Sequence, residues 1–243
     1  MSGRPDGRAA DELRKITIKR NYLLYGEGSV LIETGNTRVI CTATVEERVP
    51  PFRRESGGGW ITAEYGMLPR SSNTRIRREV GSRGVKGRTH EIQRLIGRSI
   101  RSVVDLDNLG PRTILLDCDV IQADGGTRTA AINGAFLATV DALRLLRRQG
   151  VLGARPLRDS VAAVSVGVVG GEAVLDLDYE EDFAAEVDMN VVMTGSGRFV
   201  EVQGAAEGDP FSEATLQKML GIAKIGVERI TAIQREELGE EEV

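Results

Sequence analysis

Two rhythms of apolar positions alternate along the chain. Every-second-residue patterns rich in Ile, Val and Thr predict strands at Ile16–Lys19, Ser29–Glu33 and Arg38–Val45, with Gly35-Asn36 as a tight hairpin turn between the last two. Pro50–Gly59 reads as a loop, and Trp60–Tyr65 as a further strand. A helical stripe then follows in Ile92, Leu95, Ile96, Ile100, Val103 and Val104; Thr89 is its expected cap, which puts Arg88 at its mouth. Thr113–Val120 predicts a strand, and Thr129–Arg148 a helix carrying Ala131, Ala135, Ala138, Ala142, Leu145 and Leu146 at helical spacing. Four more strands are expected at Val161–Val168, Ala173–Asp178, Val187–Met193 and Phe199–Gln203, with glycine turns between them. A last helix runs from about Ser212, its cap, to Glu237, burying Leu216, Met219, Leu220, Ala223, Val227 and Ile230.

This order of strands and helices, repeated, predicts an α+β fold with helices packed on sheets. The whole chain, 1–243, reads as one domain of two halves, about 14–150 and about 158–238, built on a similar plan without a sequence repeat. Residues 1–13 are polar and read as a flexible arm.

Composition changes this picture little, and charge distribution changes it more. No apolar run reaches membrane-spanning length, and the polar N-terminus lacks the apolar centre of a signal peptide. Cys41 and Cys118 lie in strand-like segments and read as buried thiols, so a cytoplasmic protein with no membrane partner is expected. The net charge is only −4, yet nine basic residues (Arg70, Arg75, Arg77, Arg78, Arg83, Lys86, Arg88, Arg94 and Arg98) face only Glu79 and Glu91 between positions 70 and 98. From Glu172 onward eighteen acids face five bases. The first segment, a long loop from Leu68 to Arg88, suits a polyanion. The second suits either a divalent metal or a solvated surface.

The chemistry concentrates at Asp117–Ala131, a strand that meets a helix through Gly125-Gly126-Thr127-Arg128. A glycine pair brings backbone N–H groups close to a ligand, and a helix start offers unpaired N–H groups and partial positive charge. With Thr127 and Arg128 added, the junction fits a small anion, most simply phosphate. Arg88, at a second helix start, would converge on it. The same features also occur as ordinary helix starts and surface ion pairs. The acidic run holds Asp182 and Asp188, six residues apart. On one straight strand they lie roughly 20 Å from each other, so they share a cation only if the chain bends at Phe183-Ala184-Ala185. With His90 as the only histidine, a Ser-His-Asp triad or a histidine-ligated metal is disfavoured, and transfer chemistry needing arginines and Mg²⁺ remains.

Trp60–Arg70, Gly87–Arg98, Asp117–Ala131, Ala184–Met193 and Glu201–Gly204 together resemble the bacterial ribonuclease PH family, over nearly the whole chain. The resemblance implies a ribosomal protein S5 domain 2-like fold in two pseudo-symmetric halves and a homohexamer, a trimer of dimers. It implies a phosphate-dependent 3′→5′ exoribonuclease that trims tRNA precursors and other RNA 3′ ends. Inorganic phosphate is the co-substrate and nucleoside 5′-diphosphates are released; the reverse reaction adds nucleotides. The implied catalytic residues are Arg88, Arg128, Asp182 and Asp188. Phosphate would bind at Arg88, Gly126, Thr127 and Arg128, and Mg²⁺ or Mn²⁺ at Asp182 and Asp188. The implied tRNA contacts are Arg70, Arg75, Arg77 and Arg78. The related polynucleotide phosphorylases carry a lysine where this chain has Asn190. The alternatives are a silent RNA-binding subunit of such a ring, which should lack Gly-Thr-Arg or one aspartate, and a hydrolytic metal nuclease indifferent to phosphate.

Overall fold

A computed structural model describes residues 4–79, 84–153 and 155–239. The fold is α+β, with two sheets and the long helices between and against them. The first sheet comprises β1 (Ile16–Arg20), β2 (Gly28–Thr34), β3 (Thr37–Glu46), β4 (Trp60–Met67) and β5 (Thr113–Gln122), in the order β1-β2-β3-β5-β4. Its pairs are antiparallel except β4 with β5, which run parallel and are joined through helix α1 (Gly87–Arg101). The second sheet comprises β6 (Val161–Val169), β7 (Glu172–Leu175), β8 (Val187–Thr194) and β9 (Phe199–Ala206), in the order β7-β6-β8-β9, antiparallel throughout. Helix α2 (Thr127–Arg148) follows the first sheet and α4 (Glu213–Leu238) the second; the short α3 (Tyr179–Ala184) lies between β7 and β8.

Helix α2 is the spine. Its Ala130, Ala131, Ile132, Ala135, Phe136, Leu137 and Ala138 are buried in one core with Val30, Ile32 and Cys41 of the first sheet and with Val161, Ala163 and Val192 of the second. The small side chains let it approach both sheets closely. Gly28 is needed for the same reason: a Cβ there would lie 1.9 Å from the Ala138 carbonyl oxygen. By length and hydropathy α2 matches a short membrane span, contrary to the expectation that no such run exists. Its burial, 94% over the apolar window, marks it as a core helix instead. A second core joins α4, through Met219, Ala223, Val227 and Ile230, to the far face of the second sheet. Ser212 caps α4 by accepting from the Thr215 N–H, and Cys41 and Cys118 are buried free thiols, as expected.

Three expectations need correction. Residues 4–13 are docked, not free: the Leu175 N–H donates to the Ala10 carbonyl at 2.8 Å, and Arg4 and Arg8 reach Glu181. A polar composition looked like solvated chain, but its arginines meet buried carboxylates. The strand expected to Asp178 stops at Leu175, because Asp178 and Glu181 form a capping box that starts α3. Helices α1 and α2 start earlier than expected, at Gly87 and Thr127, so Thr89 lies inside α1 rather than at its cap. Arg83 falls outside the described residues.

A buried polar contact joins α2 to the second sheet. β7 pairs only with the Val166–Val169 end of β6, which leaves the other end of that edge open. Asn133 of α2 fills in for the missing strand: its Nδ2 donates to the Ala163 carbonyl at 2.9 Å and its Oδ1 accepts from the Ala163 N–H at 2.8 Å. Replacement by an apolar residue of similar size strands both backbone groups, at about 1–3 kcal/mol each. Asn133→Leu is therefore expected to lose about 2–4 kcal/mol in chemical denaturation. A loss below about 0.5 kcal/mol would show that the contact contributes nothing.

Candidate active site

The glycine turn is the first wall of the site. Gly125 and Gly126 both have left-handed backbones, φ 71° and 62°. At Gly125 a Cβ would sit 2.5 Å from the Leu177 carbonyl oxygen, so the turn touches the second sheet's connecting chain directly. The turn's outer carbonyl groups are held: the Thr37 hydroxyl donates to Gly125 O at 2.6 Å, and Arg14 donates to Asp124 O. Beyond Gly126, α2 begins with no side-chain cap. The Gly126 carbonyl accepts from Ala130, so the helix is properly started, while its first residues line the cleft and no side chain among the described residues caps their N–H groups.

Around this turn lies a cleft of about 480 Å³. It brings together Arg88 from the first turn of α1, Gly125 to Arg128, and Asp182 and Asp188 from the opposite wall. All the sequence-predicted catalytic, phosphate and metal residues therefore line one cavity. The bend between the two aspartates is present: Asp182 is in α3, Ala185 returns the chain to extended geometry, and Asp188 is on β8. Among the described residues no group of three or more His, Cys, Asp or Glu side chains gathers as a metal site, and Asp124 and Glu207 line the cleft beside Asp182 and Asp188.

The charges are arranged in opposition. Burial pushes the Asp182 carboxyl above the usual carboxylate range, the Asp188 charge adds to this, and Arg88 and Arg128 pull the other way. Arg128 is held in place, with Nη1 donating to Gln203 Oε1 at 2.7 Å and lying 3.6 Å from Glu91. Arg88 is exposed and makes no hydrogen bond or salt bridge among the described residues. Tyr65, on β4, was missed by the sequence reading. Its hydroxyl lies 2.8 Å from Thr127 Oγ1, and burial raises its pKa against the lowering effect of that bond and of the two arginines. A protonated Tyr65 donating to Thr127 leaves the threonine proton free for a ligand. Gln203, Glu91 and Tyr179 also went unrecognised; Tyr179 lines the cleft and stacks beside Phe183.

Arg70, Arg75, Arg77 and Arg78 do not line this cleft. They are exposed on the loop that follows β4, whose Ser72 and Asn73 do reach it. The Ala123 N–H donates to Ser71 O at 2.8 Å and ties that loop to the end of β5. Arg77 and Arg78 border an adjoining depression that shares Arg88 with the cleft.

An uncapped helix start, paired arginines and paired carboxylates on this two-sheet frame define a class. Domain 1 of the 3′ exoribonuclease family matches residues 12–144 and domain 2 matches residues 159–226, so the chain belongs to the 3′ exoribonuclease family. It is 61% identical to ribonuclease PH of Moorella thermoacetica over 237 residues, 98% of this chain and 95% of that protein. Its fold is shared with rice (Oryza sativa) Rrp46, at 20% identity and TM-score 0.78 over 97% of this chain and all of the other. An Archaeoglobus fulgidus exosome, solved with RNA bound to its active site, matches with TM-score 0.78 and 22% identity, over 96% of this chain and 93% of that one.

The raised Asp182 pKa has a consequence for stability. The folded state binds that proton more tightly than the unfolded chain, so ionised Asp182 costs stability above its folded pKa; the cost fades as pH falls. Asp182→Asn is expected to melt above the wild type at neutral pH in chelator, with the gain gone below the ordinary aspartate range. Thermal melts across pH check this, and a lower melting point at neutral pH contradicts it.

Proposed function

We propose that this chain is a phosphate-dependent 3′→5′ exoribonuclease that trims the 3′ ends of tRNA precursors, and of other RNAs, and releases nucleoside 5′-diphosphates. The observation that carries the reading is the uncapped α2 start with Arg88 and Arg128 beside it, facing two carboxylates across one cleft. Inorganic phosphate in the turn is the nucleophile. One oxygen of hydrogen phosphate bonds to the phosphorus of the terminal diester, the bond to the RNA 3′ oxygen breaks, and that oxygen leaves with the proton the phosphate gives up. The chain then needs no nucleophile of its own. Arg88, Arg128, the Thr127 hydroxyl and the α2 amides hold two anions together against their repulsion, which is where most of the catalytic effect resides. The reverse reaction adds nucleotides through the same arrangement.

The donor set also fits Mg²⁺, with Mn²⁺ as a substitute. A carboxylate, Asp182, whose ionisation is made costly by burial and by the Asp188 charge, open to a site for phosphoryl oxygens, is what such a cation completes. Held by Asp182 and Asp188, it would supply charge stabilisation for the reacting phosphoryl group. Asn190, on the cleft wall, leaves that charge balance without the lysine of the polynucleotide phosphorylases. The exposed arginines Arg70, Arg75, Arg77 and Arg78 grip the RNA backbone beyond the cleft without reading sequence. The same proposal includes a homohexamer, a trimer of dimers: Leu24 and Tyr25, 85% and 92% exposed, belong to the apolar surface that such an assembly buries. It also includes a cytoplasmic location, consistent with two free thiols.

The test is a 3′-extended tRNA incubated with and without phosphate, with the released nucleotide identified. Diphosphates released only with phosphate support the proposal. Monophosphates at a rate indifferent to phosphate indicate a hydrolase, and tRNA binding without release indicates a silent subunit. Arg128→Ala is expected to lose about 2–4 kcal/mol of transition-state stabilisation while tRNA binding persists. Wild-type activity at limiting phosphate would remove Arg128 from the site. Arg75→Ala with Arg77→Ala is expected to weaken tRNA binding and lower its salt slope by about one unit per lost contact, sparing very short oligonucleotides. Binding across a salt series, with mass measured on the same samples, decides it; equal loss on long and short substrates would place these arginines in the active site.

A further inference from the structure

The N-terminal arm lies behind the carboxylate wall, not in the cleft. Arg4 grips Glu181 with two hydrogen bonds, Nε to Oε1 at 2.6 Å and Nη2 to Oε2 at 2.7 Å, and the two side chains are 6% and 2% exposed. Glu181 is also half of the capping box that starts α3: it accepts from the Asp178 N–H at 3.1 Å, while its own N–H donates to Asp178 at 2.9 Å. Asp182 is the next residue. Burial raises the Glu181 pKa, but the bonds from Arg4 and Asp178 and the charges of Arg4 and Arg8 outweigh it and keep the carboxyl ionised.

Arg14 works on both walls. Its Nε and Nη2 fork onto the Asp176 carboxylate at 3.0 and 2.7 Å, and its Nη1 donates to the carbonyl of Asp124, which opens the glycine turn. Asp176 has a left-handed backbone, φ 55°, rare for a residue with a side chain. Its carbonyl accepts from Arg4 Nη2 at 3.1 Å and from Arg8 Nη1 at 3.0 Å, which holds that turn closed. A six-residue helix does not sustain itself in isolation. The buried pairing of the arm with Glu181 and Asp176 braces the short helix that carries Asp182.

We propose that Arg4 and Arg14 are positioning residues that set the separation between the glycine turn and Asp182, so that the arm belongs to the catalytic apparatus without touching substrate. This rests on the phosphorolytic reading of the cleft. The bland alternative is a staple that adds stability and nothing more, and kinetics separate the two.

The experiment uses full-length Arg4→Ala and Arg4→Lys, the second keeping charge but losing the fork. With saturating RNA and phosphate, kcat for diphosphate release is expected to fall about tenfold or more in Arg4→Ala, because small misplacements of reacting groups are costly. The KM for RNA should stay within about twofold, with Arg4→Lys intermediate. Amide exchange should quicken across 179–184 and not in α2. If Arg4→Ala does not fold, Arg14→Lys carries the same readouts. Unchanged kcat with faster exchange overturns the proposal in favour of a staple, and unchanged exchange overturns it outright. A wild type that releases no diphosphate refutes the functional reading instead, and is recognised before any variant is compared.

Discussion

The structure depends on a helix start that is left unsatisfied. A missing side-chain cap ordinarily costs about 1 kcal/mol. In α2 that cost is tolerated because the helix cannot fray: it is buried between two sheets over most of its length. Its first N–H groups stay aligned toward the cleft and keep their positive potential for an anion. Gly125 and Gly126 follow from this, since the turn must be left-handed and must pass against the Leu177 carbonyl. The surrounding chain holds the turn from behind: Thr37 accepts from the Asp124 N–H and donates to the Gly125 carbonyl, and Arg14 donates to the Asp124 carbonyl.

The charges across the cleft complement the helix start. Arg128 is anchored by Gln203 of β9 and Glu91 of α1, so a ligand meets a side chain already ordered. On the opposite wall, like charge and burial work against ionising Asp182, and only positive charge relieves them. Arg88 and Arg128 therefore offset part of the cost of ionising Asp182 from across the cleft.

The long elements were legible in the sequence because each carries its own periodicity. Ile92, Leu95, Ile96 and Ile100 mark α1, and the strand alternation from Ser29 to Val45 marks β2 and β3, whatever packs against them. Gly125-Gly126-Thr127-Arg128 was legible for a different reason: such a junction also occurs as an ordinary helix start, and the resemblance carried by the rest of the chain singled it out. Helix α3 was not, because six residues hold no periodic signal. Its one local mark is Asp178 with Glu181 three residues later, a capping box inside what otherwise reads as an acidic strand. Tyr65 was hidden in a strand whose alternation explains it as core, and nothing local announces its contact with Thr127, 62 residues away. The arm was the least legible part: Arg4 and Glu181 are 177 residues apart, and a polar N-terminus looks the same whether solvated or docked.

Neither half of the chain holds the site by itself. The first sheet with α1 and α2 supplies the glycine turn, Arg88 and Arg128; the second sheet and α3 supply Asp182 and Asp188. The spacing across the cleft is therefore a property of how the sheets meet, and local structure alone cannot set it. Three contacts fix that meeting: Asn133 on the open edge of β6, the Gly125 turn against Leu177, and Arg14 spanning Asp124 and Asp176. All three are buried or close-packed and use backbone groups or paired charges, which tolerate little displacement. Apolar packing of α2 against both sheets drives the halves together but would accept small slides. The polar contacts select one arrangement among these, and it is the one in which arginines and aspartates face each other across the uncapped helix start.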